Sequence, residues 1–112
     1  MDKELIQEFI NKIILEKKKD LLSIEMDLDF HLTQKRKIGN ENKLRNQLKK
    51  EKNKIGNKRN LEILSTLDDK INQLNIVNKK INELISIKPQ IIEYIEYLEK
   101  NKNKIIKLGL DL

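Results

Sequence analysis

Cysteine, alanine and tryptophan are missing from this 112-residue chain, which holds one proline, three glycines, one histidine, two tyrosines and two phenylalanines. Without cysteine there is no disulfide and no thiolate metal site, a composition that suits a reducing compartment. Three glycines are too few for a phosphate-cradling loop. With one histidine, and with Ser23, Ser65 and Ser86 in no elbow-like context, no nucleophilic triad can be assembled. No carboxylates stand paired for acid and base work. No apolar run approaches the roughly 20 residues needed to span a bilayer. From Met1 to Asp20 charges alternate with apolar residues and no signal-peptide core is present, so a cytoplasmic location is expected. These absences point away from an enzyme, and neither a cofactor, a metal nor a small-molecule substrate is expected.

A heptad repeat is the strongest feature that is present. Apolar residues recur at spacings of three and four through Leu64, Leu67, Ile71, Leu74, Ile81, Ile85, Ile92 and Ile95, interrupted by Asn78 and Lys88. That period keeps one side of a helix turned toward a partner and predicts a long helix packed lengthwise on another. The positions just before these, Ile63, Lys70, Val77, Leu84, Ile91 and Leu98, are apolar with one exception, which widens the face beyond a two-stranded seam and suits a hairpin or bundle. Asn78 within the stripe reads as a register-fixing amide, or as the chance product of an asparagine-rich chain.

Charge is segregated as well as abundant. Residues 1–34 carry 5 basic and 8 acidic side chains, residues 60–112 carry 8 of each, and residues 35–59 carry 11 basic against Glu41 and Glu51 alone. The net charge of +6 therefore originates in the middle of the chain. Lys43, Arg45, Lys49, Lys50, Lys52, Lys54, Lys58 and Arg59 are candidate contacts to phosphates or to an acidic partner. Lysine outnumbers arginine and no aromatic is interleaved, so base-specific reading is not indicated. The plainer reading is a solubilising, lysine-rich connection.

Helical spacing of Leu5, Ile6, Phe9, Ile10, Ile13 and Ile14 predicts a first helix from about residue 3 to about residue 37. Within it, Ile24 to Thr33 alternates apolar and polar residues like a strand, which would bring Glu25, Asp27, Asp29 and His31 to one face as metal-ligand types. Read as helix, the stretch presents Leu21, Ile24, Leu28 and Leu32 on one side and Leu22, Met26 and Phe30 on another, as in a helix contacted twice. Continuous helix is favoured, and with it those four polar residues scatter. The tetrapeptide Lys-Ile-Gly-Asn occurs at 37–40 and again at 54–57. Glycine suits a helix end and the following asparagine the next N-cap, so the repeats bracket a short basic helix at about 41–55. The heptad helix then runs over about 58–87. Pro89 is expected to break it, with a last helix at about 90–107 and a short apolar tail.

The stretch from Leu44-Arg45 to Ile55-Gly56, a basic helix leading to a turn and a long returning helix, resembles the tip of the tRNA-binding arm of seryl-tRNA synthetases. It covers about 13 residues of Lys- and Asn-rich helix and none of that family's catalytic domain. The resemblance implies that a helical hairpin with a basic tip can lie against an RNA backbone. The fold expected overall is a single all-α domain, an elongated antiparallel helical hairpin or small bundle with coiled-coil-like packing. The function expected is a non-enzymatic protein–protein interaction module, such as an adaptor, inhibitor or assembly subunit, working as a homo-oligomer or with a helical partner. The alternative is a nucleic-acid-binding regulator using residues 35–59.

Overall fold

The computed structural model describes residues 2–54 and 58–110, and these form three helices. Helix α1 spans Lys3–Ile38, α2 spans Glu41–Lys52 and α3 spans Lys58–Leu110. No strand occurs among the described residues, and the alternating stretch 24–32 is helical. Asp2 starts α1, its carboxylate accepting from the Glu4 N–H at 2.9 Å. Lys35, Arg36 and Lys37 fill the last turn, where cations complement the helix dipole. Gly39 then adopts φ +128°, a region that favours glycine, and its N–H bonds the Lys35 carbonyl. Asn40 caps α2 through a side-chain bond from the Lys43 N–H at 3.1 Å. The first Gly-Asn pair thus does what its residue types suggest. Of the second, Ile55, Gly56 and Asn57 lie outside the described residues.

The helices distribute over two compact units, one formed by Met1–Asp27 with Leu84–Leu112 and the other by Leu28–Glu83. In the first, Ile6, Ile10 and Ile14 of α1 bury against Ile95, Leu98 and Ile106 of α3, flanked by half-buried Ile13, Leu21, Ile91 and Ile105. The packing is antiparallel. As α1 advances through Ile6, Asn11, Lys18 and Glu25, its neighbours on α3 step back through Gly109, Lys102, Glu99 and Lys88. In the second unit Leu44 of α2 packs with Leu67, Ile71 and Leu74 of α3, and Ile38, Leu48 and Ile63 close around them. Leu74, touched from several sides, is 0 % exposed.

Two expectations about helix limits need correcting. Pro89 lies inside α3, which does not break there. Lys88 stays helical and half-buried, 3.5 Å from the Glu25 carboxylate, while the preceding Ile85, whose carbonyl the proline cannot bond, faces water. Helix α2 ends at Lys52 rather than reaching about residue 55, because the Asn53 and Lys54 N–H groups both turn back to the Glu51 carbonyl.

Candidate interaction surfaces

Along α3 the heptad line Leu67, Leu74, Ile81, Lys88 and Ile95 is buried or half-buried as its spacing requires. Its companions differ from those expected. Ile71 is buried and Leu64 half-buried, but beyond Leu74 the buried companions are Val77 and Leu84, with Ile91 half-buried beside the next pair, Ile95 and Leu98. Asn78 and Ile92 are only half-buried and Ile85 is 53 % exposed. The seam therefore crosses to the other flank of the same line. Leu44 of α2 packs at the Ile71 flank, whereas Ile91, Ile95 and Leu98 pack with residues of α1. Asn78 consequently sits at the border of the seam rather than in its centre.

A second apolar surface lies on α1 within the first unit. Leu15, Leu22 and Met26 are 54 %, 57 % and 65 % exposed. At 3.6 residues per turn they are roughly 140° around the helix from the seam of Ile10, Ile14, Leu21 and Ile24. Charge along the same stretch is divided: residues 12–19 hold four lysines and Glu16, and residues 20–27 hold Asp20, Glu25 and Asp27 with no base. Within the hairpin Lys18 meets Glu99 at 3.0 Å, and Lys17 lies 5.7 Å from the centre of the Tyr94 ring. In the second unit Phe30 is also exposed, edge-on to His31.

Apart from half-buried Lys35, the basic residues of 35–59 are exposed, and the two acids among them are turned into local pairs. Glu41 accepts from Nε and an Nη of Arg45, at 3.1 and 3.0 Å. Glu51 meets Lys54 at 2.9 Å and Asn60 Nδ2 at 2.6 Å. Its carboxyl is held below the ordinary carboxylate value, first by the hydrogen bond from Lys54, then by that from Asn60 and by the Lys54 charge, against a desolvation that acts the other way. Leu44 and Leu48 turn toward α3, so Asn42, Lys43, Asn46, Lys49 and Lys50 fall on the outward side of α2. Lys52, Lys54, Lys58 and Arg59 are exposed as well. A cleft of about 610 Å³ between the end of α1 and the first turn of α2 adds Lys35 and Arg36. Asn60, buried to 6 % exposure, is a structural residue that its surroundings in the sequence did not reveal.

With residues 24–32 helical, Glu25, Asp27, Asp29 and His31 share no face, and among the described residues no group of three or more His, Asp or Glu is placed to hold a metal ion. No described helix is long and apolar enough to cross a membrane. Comparison with protein-family models, curated proteins and solved structures returns no match, so the synthetase-like stretch is not extended into a family relationship.

Proposed function

We propose that the protein is a non-enzymatic helical interaction module, an assembly subunit or adaptor, and that its first contact is with a second copy of itself along the outward side of α1. One observation carries this reading: the exposed row Leu15, Leu22 and Met26 runs along a stretch whose lysine-rich half precedes an acidic half. Two copies related by a two-fold axis lie antiparallel, with Leu15 of each near Met26 of the other and Leu22 close to the axis. Lys12, Lys18 and Lys19, which flank that row around the helix, then approach the acidic half of the other copy and its Glu25, while Lys17 stays on the hairpin side beside Tyr94; a parallel arrangement would oppose like charges. Sixteen residues of helix extend for about 24 Å. A contact of that length belongs with small interfaces, so a dimer in the micromolar range is expected. A reducing compartment such as the cytoplasm suits a chain without cysteine.

Sedimentation or light scattering from tens of micromolar to about 1 mM tests the reading. Dimer formation that is lost in Leu22→Glu and Met26→Glu, with helicity unchanged, supports it. These side chains lie outside the buried seam, so the hairpin tolerates the change. A strict monomer throughout the range, or a dimer indifferent to both substitutions, overturns it.

A further inference from the structure

We infer that the outward side of α2 is a binding surface for the phosphate backbone of a nucleic acid, independent of the α1 contact proposed above. Three features of the second unit converge there. First, Lys43, Lys49 and Lys50 point away from the Leu44–Leu48 side, with Asn42 and Asn46 between them, which alternates cations with amide donors along one helix face. Second, none of these three lysine side chains takes part in an ion pair among the described residues, so no local carboxylate has to be displaced for a phosphate to bind. Third, the acids that could cancel their field are engaged elsewhere: Glu41 by Arg45, and Glu51 by Lys54 and Asn60.

The neighbouring cleft extends the donor surface to Lys35 and Arg36 at the end of α1. From Lys43 to Lys50 the helix rises about 10 Å, and the adjacent Lys49 and Lys50 diverge by about 100° around it, so the three ammonium groups can engage separate phosphates instead of crowding on one. Point-like ammonium charges recognise phosphate without a fixed bidentate geometry, and no aromatic side chain lies on α2 to stack a base. The surface should therefore read charge density and tolerate sequence. Nothing in this face demands an A-form over a B-form backbone, so single-stranded RNA and duplex DNA enter the test as separate probes.

The experiment measures binding of the full chain to a labelled mixed-sequence RNA of about 20 nucleotides and to a DNA duplex of about the same length, at about 50 and 200 mM salt. The expected result is affinity that falls steeply with salt. Lys43→Ala/Lys49→Ala/Lys50→Ala should weaken binding at least tenfold at the lower salt and reduce the log–log salt slope by about 2 to 3. The control Lys79→Ala/Lys80→Ala removes two exposed charges from α3 in the same unit and should leave affinity and slope nearly unchanged. All five side chains are exposed, and circular dichroism verifies that each variant is folded. Failure of both nucleic acids to bind at low salt overturns the inference, and so does equal weakening by the control pair. Polyglutamate that binds as tightly as RNA, with the same loss in the triple variant, would assign the face to acidic polypeptides and overturn it too.

Discussion

Asn60, in the first turn of α3, holds Glu51, in the last turn of α2, by both of its acceptors: its Nδ2 lies 3.2 Å from the Glu51 carbonyl oxygen and 2.6 Å from the Glu51 carboxylate. The Glu51 carbonyl, which already accepts from the Asn53 and Lys54 N–H groups, takes a further bond from a side chain of the next helix. This fastens α2 to α3 independently of the Leu44 cluster.

Asn60→Ala should therefore lower stability by about 1–2 kcal/mol, the scale of a lost hydrogen bond at a buried site. Urea denaturation followed by circular dichroism measures it. Asn60→Asp should cost more at neutral pH, because it sets a second carboxylate beside Glu51, and part of that excess should disappear in acid. An Asp variant no worse than Ala would show that Glu51 does not sense this neighbour.

The same pair gives the chain a pH signature. Glu51 titrates below the ordinary carboxylate value when folded, so its stabilising contribution is fully present above that ordinary value. It is lost as the pH falls through the lowered folded value. The wild type should thus exceed Glu51→Gln in thermal midpoint near neutrality, with the gap closing under acid conditions, whereas a gap that widens in acid would contradict the sign. Scanning both proteins from neutral pH down to about 3 provides the comparison.

Helix identity was legible in the sequence because periodicity is a local property. The spacing of Ile6, Ile10 and Ile14 and of Leu67, Ile71 and Leu74 marks the faces that are buried, and Gly39-Asn40 marks the joint between α1 and α2. Reading residues 24–32 as helix sets Leu22 and Met26 on a second side expected to be contacted, whereas both are exposed. What the pattern could not resolve was the choice between flanks. Val77, Leu84 and Ile91 alternate with Asn78, Ile85 and Ile92 on one wide stripe, and the winner depends on which neighbouring helix covers which side. Asn60 was invisible for the same reason, since its partner lies on another helix and asparagine is common throughout this chain.

Flank choice is open to a paired substitution. Leu84 is buried and Ile85 is exposed, although they are adjacent and similar in size. Leu84→Ala should destabilise by about 2–5 kcal/mol, and Ile85→Ala should stay within about 0.5–1 kcal/mol of wild type. Chemical denaturation of the two variants side by side decides it. A larger loss at Ile85 would restore the flank that the heptad spacing alone suggests.

Pro89 offers the last test, because α3 passes through it without ending. A proline in a helix interior removes one hydrogen bond and crowds the carbonyl four residues earlier, here that of Ile85. Ile85 is exposed, so water can satisfy that carbonyl and the helix carries the interruption on its wet side. Lys88 and Ile91, on the seam, keep their contacts with Glu25 and with the first unit's core. Pro89→Ala should consequently raise stability by about 1–3 kcal/mol, gaining the missing bond and relieving the crowding. Amide hydrogen exchange should show slower exchange at residues 86–92 in the variant. If α3 instead ended at Lys88 and a separate helix began at Pro89, the proline would occupy a favoured first position, and its replacement by alanine would be neutral or destabilising.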